Sequence, residues 1–239
     1  MPGSRSSAPA PARAHPAPVR ALGDRLLDLA FPARCPGCGR EGAPICDRCR
    51  PALFGHLARP AGTLIGLPSE IPSPIVQLEW CGAFEGVIRT SLHGLKYSGE
   101  RRLATLLGAA IAERWRHAGG GGDVLVPVPI HSERQRQRGY DQAVLLAQSA
   151  GVALGMPVAA CLVRTRATTA QFQLDRPQRA ANVARAFQVK RGAEWSIAGR
   201  WAVLVDDVTT TGSTLASCAR VLLHGGALAV SAVTVAREQ

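Results

Sequence analysis

The chain is predicted to be an α/β protein with a mostly parallel sheet, preceded by a small cysteine-rich segment. Three features predict this class: short apolar runs typical of buried strands, apolar residues at helical spacing between those runs, and four cysteines clustered near residue 40. At 239 residues, the chain is long enough for one α/β domain and one small module.

The predicted elements follow one another in the order that such a sheet requires. Strands are expected over residues 77–84, 124–126, 158–163, 187–189, from 202 onward and over 227–235, and helices over 86–95, 101–115, 140–154, 182–186 and 215–223. Because strands separated by helices usually pair in parallel, this alternation predicts a mostly parallel sheet.

The chain divides by composition into four parts. Residues 1–20 are rich in Pro, Ala, Ser and Arg and contain no acidic residue, which predicts a disordered tail. Residues 21–55 are predicted to hold a helix and the cysteine module, 56–75 a linker rich in Pro and Gly, and 76–239 the main domain. Prolines interrupt any secretory signal, and an acid-free leader could still be a transit peptide, but an overlong start or a flexible tail is favoured. We therefore predict a cytoplasmic protein.

The charge of the chain favours polyanionic partners. The formal net charge is +11 and the isoelectric point is near 10.3, so phosphorylated substrates, nucleic acid and acidic membrane surfaces all fit. A coding background rich in arginine would give the same charge. No run approaches 18 consecutive apolar residues, and no membrane span is predicted.

Two Cys-x-x-Cys pairs, separated by seven residues, predict a structural Zn²⁺ site with the ligands Cys35, Cys38, Cys46 and Cys49. Two disulfides are disfavoured because the chain lacks a secretory signal and has seven cysteines, an odd number. A redox motif normally occurs once, at the start of a helix. The other cysteines lie in apolar runs and are predicted to be buried thiols.

The most informative stretch is residues 202–214, in which an apolar strand is followed by two acids and then by a hydroxyl-rich turn. The turn offers backbone N–H groups and hydroxyls to a phosphate, and the helix after it adds its positive N-terminal end. The acids are predicted to accept from ribose hydroxyls or to reach a hydrated Mg²⁺. The alternative is an ordinary strand–turn–helix with a Ser or Thr cap. The predicted site residues are Asp206, Asp207, Thr209, Thr210, Thr211, Gly212, Ser213 and Thr214.

Two further polar segments are candidates for the same site. After the strand at Val126, a basic turn offers Arg134 and Arg138, which could hold a phosphate; a solvated charged loop is the alternative. A polar region beginning at residue 164 is predicted to be a flexible loop that closes over the reactive centre and excludes water. Its candidate residues are Arg164, Thr168, Gln171, Arg179 and Asn182.

Residues 202–214 resemble the phosphoribosyl-diphosphate (PRPP) motif of type I phosphoribosyltransferases. Four blocks in order, covering residues 22–236, resemble the ComF family: the cysteine ribbon, Lys96-Tyr97, the segment from Pro127 to Gln142, and residues 168–187 before the PRPP motif. The resemblance implies a type I phosphoribosyltransferase-like parallel sheet with helices on both faces behind a Cys₄ zinc ribbon. It also implies that Lys96 lies near the diphosphate, although a solvated lysine is an equal alternative. Asp141 stands where the family often carries Asn, and no direct phosphate role is expected there.

Two functions follow from the resemblance. In the first, the protein transfers ribose 5-phosphate from PRPP with Mg²⁺ to an unidentified acceptor and supports DNA uptake, with Asp206 and Asp207 as the catalytic residues. In the second, it is a non-catalytic module that senses PRPP or a nucleotide and binds single-stranded DNA or proteins of the DNA-uptake machinery. A pocket for the acceptor base would distinguish the two, and no motif for one is recognisable in the sequence.

Overall fold

The computed structural model describes residues 33–165 and 186–238. The predicted tail, the predicted helix before the cysteines, all but the last residue of the predicted helix over 182–186, and the loop candidates Thr168, Gln171, Arg179 and Asn182 lie outside these ranges. Within the described part of the chain, no helix combines the length and the apolar character needed to span a bilayer.

In the described ranges, helices separate β1 from β2, β2 from β3, and β5 from β6, as predicted. The strands are β1 (Leu78–Ala83), β2 (Val124–Pro127), β3 (Leu162–Arg164), β4 (Phe187–Val189), β5 (Trp201–Thr209) and β6 (Ala229–Arg237). The α-helices are α1 (Gly86–Tyr97), α2 (Leu103–His117), α3 (Ser132–Arg138), α4 (Gln142–Leu154) and α5 (Ser213–His224).

The main sheet has the strand order β1-β6-β5-β2, and all three neighbouring pairs are parallel. Strand β5 therefore lies inside the sheet, with Leu204 opposite Ala232 on one side and Val126 on the other. Strands β3 and β4 form a separate antiparallel pair. The predicted strand over 158–163 is divided, because Val158 makes a single bridge to Leu125 of β2 and β3 starts only at Leu162.

Helices cover both faces of the sheet, because the apolar side chains of β5 alternate between two cores. Val203 and Val205 pack with residues of α1, α2 and α4, whereas Ala202 and Leu204 pack with residues of α5 and of the β3–β4 pair. This two-sided burial explains why the run from Ala202 to Val205 is apolar without alternation.

The cysteine segment shares the first of these cores. Cys35, Ile45 and Cys46 are buried in the same cluster as Leu92 and Leu95 of α1. Gly37 sits so close to this helix that an added Cβ would lie 2.8 Å from Cγ2 of Val87. The segment therefore packs against the helix that ends at Lys96.

The basic segment after β2 was predicted to be a turn, and this prediction is wrong because the segment forms helix α3. His131 starts the helix, since its Nδ1 accepts from the backbone N–H of Glu133 at 3.3 Å. Gly139 ends it with a φ of 74°, a left-handed conformation that suits glycine. Helix α3 thus fills the space between β2 and α4.

The predicted linker over 56–75 is tied to the sheet through a buried ion pair. Arg114 of α2 donates from Nε to Oε2 of Glu79 on β1 at 2.9 Å, and neither residue has exposed surface. The same two side chains bind the predicted linker: Arg114 Nη2 donates to the carbonyl of Thr63 at 2.6 Å, and the N–H of Ile65 donates to Glu79 at 3.2 Å. This pair holds the edge strand, α2 and the predicted linker together.

Replacing Arg114 with Met is expected to lower the free energy of unfolding by about 3–5 kcal/mol, because Glu79 is left buried without its cation. Replacing both Glu79 and Arg114 with Met should recover most of this loss. Urea denaturation of the full chain measures both effects.

The matched control is Arg116→Met, because Arg116 pairs with Glu113 at 2.8 Å on the exposed side of the same helix. This change should cost less than about 1 kcal/mol. Equal losses for Arg114→Met and Arg116→Met would contradict the structural role of the buried pair.

Candidate functional site

The two predicted acids lie near the carboxyl end of β5, on opposite faces of the sheet. Side chains two residues apart on a strand point to the same face of the sheet. Asp206 therefore faces α5, as Leu204 does, and Asp207 faces α1 and α4, as Val205 does. Asp207 is buried, and Asp206 keeps partial contact with solvent. In parallel α/β sheets, this edge is where ligands bind.

Asp207 is held from two sides through a single oxygen atom. Nζ of Lys96, at the end of α1, lies 2.9 Å from Oδ2 of Asp207. Nε2 of Gln142, at the start of α4, donates to the same Oδ2 at 3.0 Å. Lys96 therefore joins the candidate site through an ion pair with one of the predicted acids.

The position of Lys96 is set by the turn between α3 and α4. The hydroxyl of Tyr140 donates to the carbonyl of Leu95, the residue before Lys96. The guanidinium of Arg101 stacks on the ring of Tyr140, with Cζ 4.5 Å from the ring centroid. These contacts join the end of α1 to the segment that carries Gln142.

The environment of Asp206 disfavours its charged form. Desolvation of the carboxyl group and the neighbouring charge of Asp207 raise the pKa of Asp206 well above its usual value. The backbone N–H of Asp207 donates to Oδ1 of Asp206 at 2.8 Å and opposes this shift, as does the charge of Lys96. Desolvation has the larger effect, although the residue still reaches solvent at its edge.

In the turn after β5, most of the hydroxyl residues are exposed and the glycine is buried. Thr210, Thr211 and Ser213 are exposed and Thr214 is half-buried, whereas Thr209 is buried and its carbonyl accepts from the N–H of Glu238 at 2.9 Å. Gly212 has a φ of 72° and precedes the first residue of α5.

Gly212 also meets the predicted linker. An added Cβ would lie 2.6 Å from Cγ of Pro72, so both the conformation and the space at this position suit glycine alone. Pro72 therefore packs against one side of the turn. The exposed hydroxyls and the start of α5 form its other side.

Among the described side chains of the basic segment, Arg138 contacts the residue that binds Asp207. Nη1 of Arg138 donates to Oε1 of Gln142 at 2.9 Å, and its Cζ lies 5.1 Å from the centroid of the Tyr97 ring. The backbone of Arg134 belongs to α3. Arg164, predicted to start the flexible loop, is the last residue of β3, with its Cζ 5.4 Å from the centroid of the Phe187 ring.

Asp141 acts as the cap of α4. Its Oδ1 accepts from the N–H groups of Ala143 at 2.9 Å and Val144 at 3.4 Å, and its Oδ2 accepts from the N–H of Ile130 at 3.3 Å. Burial raises the pKa of Asp141, and these donors oppose the rise. Both oxygens of Asp141 therefore bind backbone donors, which gives the carboxylate a structural function. Asn could cap the helix through its one oxygen, but its NH₂ group could not accept from the N–H of Ile130.

Gln142 is a residue of the site for which no role was predicted from the sequence. Its buried amide contacts both Arg138 and Asp207, so it lies at the centre of the cluster. The sequence offered one indication of its role, because Gln142 directly follows the residue that caps α4 and is four residues from Arg138. The contact with Asp207, 65 residues away along the chain, depends on the fold.

The four clustered cysteines meet the geometric requirement of a tetrahedral metal site. Their Sγ atoms all lie within 4.8 Å of one another, and those of Cys38 and Cys46 are 3.5 Å apart. Zinc bound at about 2.3 Å to four sulfurs in a tetrahedron places them about 3.8 Å apart. The cluster can therefore hold a metal ion such as zinc.

Backbone donors near Cys35 favour its thiolate form. Burial alone would raise the pKa of Cys35, but N–H groups at Cys46, Gly37 and Cys38 together bring it down to about 6. A metal ligand must be deprotonated, so this environment suits coordination.

The fold and these two sites define a class: an α/β protein with a parallel sheet, an acid pair and hydroxyl turn at the carboxyl edge, and a four-cysteine cluster on its first core. DNA utilization protein YhgH of Escherichia coli K12 is 32% identical over 203 residues, which cover 82% of this chain and 85% of that protein. Competence protein F of Haemophilus influenzae is 29% identical over 204 residues, covering 82% and 86%. Competence protein ComFC of Bacillus subtilis is 36% identical over 116 residues, covering 48% and 45%.

These relatives show that the chain belongs to the ComF family. No protein-family model matches the chain. Among solved structures, the glutamine phosphoribosylpyrophosphate amidotransferase of B. subtilis has 20% identity and a TM-score of 0.42. The match covers 60% of this chain and 30% of that one.

Replacing Asp206 with Asn is expected to stabilise the protein at neutral pH. The pKa of Asp206 is raised in the folded state, so ionising this group opposes folding. The free energy of unfolding of the wild type therefore falls as the pH rises above the pKa of Asp206 in the unfolded chain, which is about 3.9. Asn cannot ionise, and its Oδ1 can still accept from the N–H of Asp207. Thermal unfolding at pH 7 and at pH 3.5 should show a higher Tm for the variant at pH 7 and little difference at pH 3.5. A lower Tm at pH 7 would refute the expectation.

If the four-cysteine cluster holds zinc, replacing Cys38 with Ser is expected to weaken its binding at least tenfold, because one of the four candidate thiolate ligands is lost while the exposed position tolerates serine. Metal analysis and competition with a chelator measure the effect. The control is Cys161→Ala, a buried thiol in the other core, which should keep about one zinc per chain. Equal zinc content in both variants would contradict the assignment.

Proposed function

We propose that the protein binds PRPP at the carboxyl edge of its sheet and transfers ribose 5-phosphate to an acceptor, releasing pyrophosphate, in a process that supports DNA uptake. The observation that carries this proposal is the buried Asp207, held between Lys96 and Gln142 beside Asp206 and directly before the hydroxyl turn. The two acids at the end of β5 could bind the hydroxyls of a phosphorylated pentose, and the turn that follows the strand could bind its phosphate.

In this proposal, Asp206 and Asp207 accept from the ribose 2′- and 3′-hydroxyls. The turn from Thr209 to Thr214 and the first N–H groups of α5 hold the 5′-phosphate. Lys96 and Arg138, with Arg134 as a further candidate, neutralise the diphosphate. Mg²⁺ accompanies the diphosphate and is expected to bind through the ligand oxygens and one or two carboxylates.

Catalysis at such a site rests on positioning and charge rather than on a dedicated acid and base. The transferred sugar passes through a cationic state at C1, which Asp206 and Asp207 are placed to orient through the ring hydroxyls. Arg164 and Phe187 are paired on the neighbouring strands β3 and β4, and we propose that the polar residues between these strands in the sequence exclude water from the reacting sugar.

The cellular role is proposed from the relatives, whose names refer to DNA utilization and competence. The four-cysteine cluster is proposed to hold a structural zinc that stabilises the segment packed on α1. We place the protein in the cytoplasm, where these thiols stay reduced.

One observation favours a second candidate function, a non-catalytic module that binds single-stranded DNA. Aromatic and basic side chains follow one another along the exposed side of α1. The ring centroids of Phe84 and His93 lie 6.2 Å apart, those of His93 and Tyr97 lie 5.5 Å apart, and Cζ of Arg89 lies 5.9 Å from the centroid of the Phe84 ring. Tyr97 is 70% exposed, and such rings can stack on bases while arginines contact the phosphates.

The decisive experiment compares the wild type with the double variant Asp206→Asn plus Asp207→Asn. Wild-type protein is incubated with PRPP, Mg²⁺ and a panel of purine and pyrimidine bases, and both PRPP binding by calorimetry and pyrophosphate release are measured. We expect binding by the wild type, with release in the presence of at least one base. The double variant should bind at least tenfold more weakly and release none.

Glu113→Gln serves as the control, because Glu113 is exposed on α2 and pairs there with Arg116. This variant should behave as the wild type. Binding without release for any base favours the non-catalytic module, and DNA affinity that falls steeply with salt would support it further. No heat of binding with PRPP and Mg²⁺ would refute both the enzymatic and the PRPP-sensing proposals.

A further inference from the structure

A continuous chain of hydrogen bonds joins the basic segment to the acid pair. Arg138 donates from Nη1 to Oε1 of Gln142 at 2.9 Å, and Gln142 donates from Nε2 to Oδ2 of Asp207 at 3.0 Å. The first residue belongs to the candidate diphosphate contacts and the last to the candidate ribose contacts. One amide side chain thus connects the two halves of the candidate site.

The orientation of this amide is determined by the charges at its two ends. Its oxygen faces a guanidinium and its NH₂ group faces a carboxylate, so turning the amide over would place oxygen against carboxylate and NH₂ against guanidinium. Gln142 is only 4% exposed, and its buried polar atoms would lose these bonds without regaining water.

Gln142 has no evident structural reason to be polar. It is the first residue of α4, but Asp141 already accepts from the N–H groups of Ala143 and Val144 that open the helix. Its neighbour Ala143 is fully buried and apolar, as expected for residues facing this core. A buried amide at this position is therefore explained by its two charged partners.

We infer that Gln142 is a positioning residue that couples Arg138 to Asp207. This inference rests on the proposed function, in which these two residues contact the diphosphate and the ribose. Lys96 and Gln142 both bind Oδ2 of Asp207, and together they set the direction of Oδ1, the oxygen offered to the sugar. When Arg138 turns toward a diphosphate, the amide loses the partner of its oxygen, and the hold on Asp207 changes with it.

The coupling can be tested first without ligand. In the full-length chain, the carbon-13 chemical shift of the Asp207 carboxyl carbon is measured at neutral pH in the wild type, Arg138→Met, Gln142→Met and the double variant. We expect Arg138→Met to move this resonance in the wild-type background and to move it less than half as far when Gln142 is already Met. Equal movement in both backgrounds would overturn the inference, because it would show a direct charge effect that bypasses the amide.

Arg101→Met is the matched control, because Arg101 stacks on Tyr140 in the same neighbourhood as Arg138 stacks on Tyr97. It should move the Asp207 resonance equally with and without Gln142. Gln142→Glu provides a second variant if Gln142→Met folds poorly, since a glutamate can still accept from Arg138 but repels Asp207. An unchanged Asp207 resonance in Gln142→Glu would also overturn the inference.

Calorimetry with PRPP and Mg²⁺ then tests the consequence for the proposed function. We expect Gln142→Met and Gln142→Glu to bind at least tenfold more weakly than the wild type and the exposed control Glu113→Gln to stay within twofold. Wild-type affinity in the Gln142 variants would overturn the inference while leaving the proposed function intact. An absence of wild-type binding would refute the proposed function, and the ligand-free resonances would still decide whether the coupling exists.

Discussion

The buried contact between Lys96 and Asp207 organises the candidate site, because it places opposite charges from α1 and β5 at one edge of the sheet. Their side chains are 17% and 8% exposed, so the pair is shielded from solvent much more than a surface ion pair. Burying these groups is tolerable only because each has an oriented partner. Tyr140 orients the end of α1, and Gln142 orients the carboxylate.

Charge is unevenly distributed around this pair. Asp206 and Asp141 lie close enough to Asp207 for their charges to interact, and both have raised pKa values for which burial is the largest cause. Three carboxyl groups therefore lie close together at a place where cations and hydroxyl donors would stabilise their charged forms. The proposed ribose and magnesium ion would supply those donors and that charge.

Much of this arrangement could be predicted from sequence, because local patterns carry the information. The apolar run before Asp206 is buried on both faces, and the spacing of Cys35, Cys38, Cys46 and Cys49 brings their sulfurs together. The contact of Gln142 with Asp207 and the packing of Pro72 on Gly212 could not be predicted, because they join residues distant along the chain. The helix over Ser132–Arg138 was missed because its charged side chains show no apolar period, while its cap at His131 is an uncommon one.

The most direct test of the central claim is a crystal structure of the protein with PRPP and Mg²⁺. We expect carboxylate oxygens of Asp206 and Asp207 to lie within hydrogen-bond distance of the ribose 2′- and 3′-hydroxyls, with the 5′-phosphate on the N–H groups of the turn before α5. A sugar bound elsewhere on the molecule, with Asp207 still paired to Lys96 and the turn free of phosphate, would contradict it.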